Sequence, residues 1–120
     1  YLPCLICCGL ALLSSLSLAA QPDSLRLNAV IVLKGNRTVI ADDARTTINT
    51  TGNPALATAG SGDVLTGLIA SLIAQGMTAY DAARLGVSAH GLAADRWAKQ
   101  HGRRGLRAIE LADRLPSALG

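Results

Sequence analysis

Hydrophobic and polar positions change their spacing once along this chain, close to residue 60. Upstream, Ala29-Val-Ile-Val-Leu33 is a continuous apolar run rich in β-branched residues, which predicts a buried strand. Lys34-Gly-Asn-Arg37 reads as a turn and Thr38-Val-Ile-Ala41 as the returning strand of a hairpin. A second turn at Asp42–Arg45 leads to a short strand, Thr46–Asn49, and Gly52-Asn53-Pro54 closes the β part. From Asp63 the period becomes helical: Val64, Leu65, Leu68, Ile69, Leu72 and Ile73 fall on one face, and Gly76 ends the run. Thr78, with Asp81 three residues on, predicts the cap of a second helix reaching about Lys99, with Ala82, Leu85, Ala89, Leu92 and Ala93 among its apolar positions. A last helix is expected from about Ala108 to Leu115, stopped by Pro116. Strands followed by helices, joined by a glycine loop, make an α/β arrangement.

The first twenty residues do not share this organisation. Tyr1–Ala20 is uncharged and mostly apolar, near the length of a membrane span. Leu10–Leu18 could serve as the apolar region of a secretory signal, with Ser17-Leu18-Ala19 as its cleavage site. No basic residue precedes the run and the chain opens on Tyr1, which favours a truncated or foreign flank over a signal or an anchor. Residues 1–24 are therefore set apart as an apolar segment of uncertain origin. Gln21–Ser24 forms the break, Leu25–Leu27 reads as the tail of a helix, and residues 25–120 form the domain proper.

Composition narrows the chemistry. Half the residues are hydrophobic and there is no Phe, so the core must be built from Leu, Ile, Val and Ala. The net charge of +3 owes much to Arg103, Arg104 and Arg107. Without interleaved aromatic residues this cluster reads as a solvated face, which argues against nucleic acid as a partner. All three cysteines, Cys4, Cys7 and Cys8, lie in the apolar start. Cys4 and Cys7 have C-x-x-C spacing but lack a second ligand pair or a βα context, and they are not read as a zinc or redox site.

The chemistry concentrates in Thr51–Leu65. Small residues at Ala59-Gly-Ser-Gly62 let backbone N–H groups approach an anion, and the start of a helix adds partial positive charge. Asp63 then stands where a phosphate would be held, a position that suits a proton acceptor. It could also serve as a plain helix cap. Asn53 is readable equally as a turn residue or a nucleotide contact. His90, Asp95 and Trp97 read as structural.

Three blocks taken together resemble the C-terminal half of the ADP/ATP-dependent NAD(P)H-hydrate dehydratases, a branch of the ribokinase-like superfamily. They are Val32-Leu-Lys-Gly-Asn-Arg-Thr-Val-Ile40, Gly52-Asn-Pro…Ala57-Thr-Ala-Gly-Ser-Gly-Asp-Val-Leu-Thr-Gly67 and Ala89-His-Gly-Leu-Ala-Ala-Asp95. The resemblance covers about Leu25 to Gly120 and implies part of a ribokinase-like fold with an incomplete central sheet, since the family's domain is more than twice as long. It implies that Lys34, Gly35, Asn36, Arg37, Thr38, Asn53, Thr58, Gly60, Ser61 and Gly62 bind the nucleotide. It further implies that Asp63 contacts the substrate and acts as base. At Lys34, backbone contacts are expected to matter more than the ammonium.

The implied reaction restores NAD(P)H from its hydrate by phosphorylation of the hydroxyl and elimination. ADP or ATP would be the phosphoryl donor, with Mg²⁺ on its phosphates. The implied setting is the cytoplasm, without membrane or nucleic acid, and with a homo-oligomer or an NAD(P)H-hydrate epimerase domain as candidate partners. The alternatives are a small-molecule kinase of the hydroxymethylpyrimidine or hydroxyethylthiazole type, a catalytically inactive fragment, and a membrane-tethered or secreted binding module that uses Tyr1–Ala20.

Overall fold

A computed structural model describes residues 4–8 and 29–120. Four strands form one sheet in sequence order: β1 (Cys4–Cys8), β2 (Ala29–Leu33), β3 (Val39–Ala41) and β4 (Thr46–Ile48). β1 runs parallel to β2, with Cys4 opposite Ala29 and Cys8 opposite Leu33. β2, β3 and β4 form an antiparallel meander in which Leu33 faces Val39 and Val39 faces Ile48. The predicted hairpin and third strand are present. The strand at Cys4–Cys8, within the segment set apart on sequence grounds, is an addition to what the pattern foretold.

Three helices follow: α1 (Ser61–Ala74), α2 (Ala79–His101) and α3 (Ala108–Leu119). α1 begins two residues before the apolar period, because Gly60 at φ +83° turns the chain into the helix and Ser61 is already buried. α2 is capped as expected: the Thr78 hydroxyl accepts the Asp81 N–H at 3.3 Å and donates to the Asp81 carboxylate at 2.9 Å.

α3 does not stop at Pro116 but carries it inside the helix and continues to Leu119. Proline removes one helical N–H. Here the last turn is held from outside: the Arg96 guanidinium of α2 donates to the Ser117 carbonyl at 2.6 Å, and the Ser117 hydroxyl donates to the Arg114 carbonyl at 2.9 Å. Leu115, one residue earlier, is buried.

The core lies between the sheet and the helices. Val30, Val32 and Ile40 point toward α2, while Leu65, Leu68, Ile69 and Leu72 of α1 pack with Ala82, Ala83, Val87 and Ala93 of α2. A fully buried Leu or Ile contributes roughly 1.5–3 kcal/mol. Small residues let α1 and α2 approach closely: a Cβ on Gly86 would lie 2.7 Å from Ile69 Cγ1. On the other face of the sheet Ile31, Leu33 and Ile48 are exposed. No helix among the described residues is long and apolar enough to cross a membrane.

Candidate functional site

The two blocks read as nucleotide-binding meet at Lys34. Its side chain leaves the end of β2, and Nζ donates to the Ser61 hydroxyl at 3.0 Å and to the Leu56 carbonyl at 3.4 Å. The ammonium thus ties the hairpin loop to the first residue of α1. The loop beyond it is short and pinned. Arg37 sits at φ +59°, and the Thr38 hydroxyl exchanges hydrogen bonds with the Gly35 N–H and carbonyl at 3.4 and 3.3 Å. Gly35, Asn36 and Arg37 are exposed, whereas Thr38 is buried.

Ser61 is held from three directions. Its hydroxyl donates to the Leu56 carbonyl at 2.7 Å and accepts from Lys34, and its N–H donates to the Thr58 carbonyl at 3.3 Å. Its own carbonyl lies 2.9 Å from Nε2 of His90, in the middle of α2. A carbonyl can only accept, so Nε2 carries the proton. His90 is buried, and its pKa is lowered chiefly by that burial, with the nearby Lys34 charge acting in the same direction against the Ser61 bond. The imidazole is therefore neutral in the folded chain at pH 7.

Ser61 thus serves the loop from inside, with neither its hydroxyl nor its N–H turned outward. The N–H groups of Gly62 and Asp63 follow in the first turn of α1, where no helical carbonyl stands behind them. A Cβ at Gly62 would meet nothing within 4 Å, so the chain is uncrowded on the side where a side chain would stand. Asp63 is exposed, and its carboxylate makes no hydrogen bond to the described residues.

One face of α2 carries the rest of the loop. Ser88, Gly91 and Asp95 follow the i, i+3, i+7 spacing of a helical stripe. The Thr51 hydroxyl donates to the Ser88 carbonyl at 3.0 Å. At Gly91 the helix comes so near that a Cβ would stand 2.2 Å from Thr51 Oγ1 and 2.6 Å from the Thr51 carbonyl carbon. The Asp95 carboxylate accepts from the Gly52 N–H and the Asn53 side-chain amide, both at 2.8 Å. The other end of that amide, Oδ1, accepts the Ala55 N–H at 2.9 Å and caps a 3-10 turn, Pro54–Leu56. Both ends of Asn53 are engaged within the protein. Gly52 adopts φ +105°, a region that favours glycine.

A glycine loop bolted to a helix N-terminus, fronted by an exposed carboxylate and joined by a lysine to a hairpin loop, is an arrangement that can receive a phosphate and accept a proton beside it. Comparison with known proteins supplies the family. A family model described as NAD(P)H-hydrate dehydratase matches residues 5–117. The chain belongs to that family. The match takes in part of the apolar segment at residues 1–24 as well as all three sequence blocks.

Among relatives, the bifunctional NAD(P)H-hydrate repair enzyme Nnr of Moorella thermoacetica is 55% identical over 92 residues, which are 76% of this chain and 17% of that enzyme. A crystal structure of the Bacillus subtilis ADP/ATP-dependent NAD(P)H-hydrate dehydratase, co-crystallised with ATP/Mg²⁺, superposes with a TM-score of 0.74 at 43% identity. The superposition covers 79% of this chain and 35% of that one. A ribokinase-like superfamily protein of Enterococcus faecalis gives a TM-score of 0.69 at 35% identity over 78% of this chain and 32% of its own. The ribokinase-like α/β fold of the family member is thus present, with the chain spanning between about a sixth and a third of the length of these relatives.

Proposed function

We propose that this chain supplies the phosphate-holding and proton-accepting part of a nucleotide-dependent NAD(P)H-hydrate dehydratase. The observation that carries the proposal is the Lys34–Ser61 contact, which joins the Lys34–Thr38 loop to the glycine loop beside the exposed Asp63. The names of the relatives, which specify NAD(P)H-hydrate and ADP or ATP, support the substrate and the donor.

In this reading Lys34, Gly35, Asn36, Arg37 and Thr38 lie along the nucleotide. Thr58, Gly60 and Gly62 shape the hole for the transferring phosphoryl group, and Asn53 and Ser61 hold that shape from within. Phosphoryl transfer depends on positioning and charge neutralisation, which backbone donors at a helix N-terminus supply. The hydroxyl oxygen of the hydrate attacks the terminal phosphorus of ADP or ATP as its proton passes to the Asp63 carboxylate. The bond from phosphorus to the bridging oxygen breaks and releases AMP or ADP. The phosphate then departs from the ring carbon, a ring proton is lost, and the double bond of NAD(P)H returns.

Asp63, exposed at the start of α1, can offer Mg²⁺ a single ligand, so the ion would be carried by the nucleotide phosphates, whose charge it neutralises. The cytoplasm, where the dinucleotides are used, is the setting that fits this chemistry. A fused epimerase domain or a second copy would be the natural partner of a bifunctional enzyme.

The test is recovery of NADPH absorbance from its hydrate on addition of ADP or ATP. Recovery that depends on Asp63 is the expected result. Phosphorylation of an alcohol without return of NADPH would instead assign the small-molecule kinase reading, and no nucleotide-dependent reaction at all would leave an inactive member of the family.

A further inference from the structure

Arg103, Arg104 and Arg107, which the sequence offers as a solvated face, line one wall of a cleft of about 370 Å³ whose other wall includes Ala57 and Thr58. Those two residues open the approach to the glycine loop. The cleft and the loop adjoin: a Cβ on Gly60 would stand 3.1 Å from the Cβ of Ala108, the residue after Arg107.

The backbone presents the arginines deliberately. Gly102 and Gly105, at φ +84° and +90°, bracket Arg103-Arg104 in a conformation that favours glycine, and neither has a neighbour that would exclude a side chain. Backbone shape rather than crowding therefore calls for glycine at both positions. Around the cleft one of the three charges is compensated and two are not. Glu110 accepts from Arg107 Nε at 3.2 Å, while Arg103 and Arg104 have no carboxylate partner among the described residues. Arginines without a carboxylate partner along one concavity leave positive charge there, and an anion seated among them would offset it. Guanidinium forks match phosphate oxygens in geometry as well as charge. The volume exceeds that of a lone phosphate and suits part of a nucleotide.

We infer that this cleft is a phosphate-binding subsite beside the glycine loop, one that takes a phosphate group of a nucleotide or dinucleotide. The inference rests on the nucleotide-dependent reading above and extends it to residues outside the three sequence blocks. The phosphate has two sources, the donor's own chain or a ribose phosphate of the dinucleotide.

Calorimetric titration of the 120-residue chain and its Arg103→Ala/Arg104→Ala variant with pyrophosphate, ADP, NAD⁺ and NADP⁺ separates them. Both side chains are exposed, so the variant keeps the fold, checked by circular dichroism. A roughly tenfold or larger loss of affinity is expected for ligands whose phosphate enters the cleft. Loss for NADP⁺ with NAD⁺ unchanged assigns the ribose phosphate, and loss for ADP and pyrophosphate assigns the donor. An Arg103→Lys/Arg104→Lys variant should recover part of the affinity. Equal affinities in wild type and variant, or no saturable binding of any of the four, overturn the inference. The dehydratase reading fails on a different result, namely no return of NADPH from the hydrate. Pyrophosphate binding that depends on the arginines would still uphold the cleft in that case.

Discussion

His90 Nε2 lies 2.9 Å from the Ser61 carbonyl oxygen, so the middle of α2 is bonded to the first residue of α1. The bond crosses 29 residues of sequence and sits in the core. It fixes the start of the helix whose N–H groups face the proposed phosphate, and it does so with a neutral imidazole.

Stability should therefore depend on pH through His90. Its folded pKa lies below the ordinary value of 6.5, so the unfolded chain binds the proton more readily. The stabilisation is complete above about pH 6.5 and is lost as pH falls toward the folded value, with a slope of at most about 1.4 kcal/mol per pH unit. Asp42 and Glu110, lowered chiefly by their arginine partners, titrate below this window. Urea unfolding at pH 7.5 and pH 5.5 should show the loss in the wild type. His90→Gln, which retains an N–H donor, should flatten it.

Asp95 and Asn53 form a pair whose polarity can be exchanged. Asp95→Ala strands the Gly52 N–H and the Asn53 amide, each half-buried, and should cost about 2–3 kcal/mol. Asp95→Asn sets two amide groups against each other and should be nearly as damaging. Adding Asn53→Asp restores an acceptor toward residue 95 and keeps the cap on Ala55. In a double-mutant cycle the pair should recover at least about 1 kcal/mol. Additive losses would mean that the two side chains do not cooperate.

Two helical glycines should respond to alanine in opposite directions. Gly91→Ala drives a methyl into the Thr51 backbone, and its overpacking cost of roughly 1–3 kcal/mol exceeds the roughly 1 kcal/mol gained in helix propensity. Gly67, in the interior of α1, has nothing within 4 Å of a new Cβ, and Gly67→Ala should raise stability by up to about 1 kcal/mol. Thermal midpoints of the two variants against wild type decide it.

Asp63→Asn should separate chemistry from folding. Its carboxylate is exposed and unbonded among the described residues, so unfolding should change by no more than the roughly 0.3–1 kcal/mol of a helix-dipole contact. NADPH recovery should fall by about 10²- to 10⁴-fold if the proposed proton acceptor is lost. A drop in rate that only follows a drop in stability would remove Asp63 from the proton transfer.

Much of the fold could be read from the spacing of apolar residues. The run Ala29–Leu33, the hairpin and the three helices each announce themselves locally, and Gly60 to Asp63 stand out by composition. What stayed hidden depends on partners distant in the chain. The strand at Cys4–Cys8 pairs with β2. A five-residue apolar run looks the same in a strand, a signal or a flank. Pro116 is a helix stop by local rules, overruled by Arg96 reaching across from α2. The inward turn of Ser61 and the ammonium of Lys34 upon it were likewise illegible, because their meeting spans 27 residues. Asp95 read as structural, but the loop it grips could be learned only from the fold.

The stripe of Ser88, Gly91 and Asp95 on α2 has a kinetic consequence. A loop shaped by that many bonds to a helix loses its freedom when the chain folds, before any ligand arrives. A phosphate bound as proposed would meet a loop already shaped by these bonds. Association at this loop should then be governed by encounter and charge, with rates sensitive to ionic strength and indifferent to slow rearrangement.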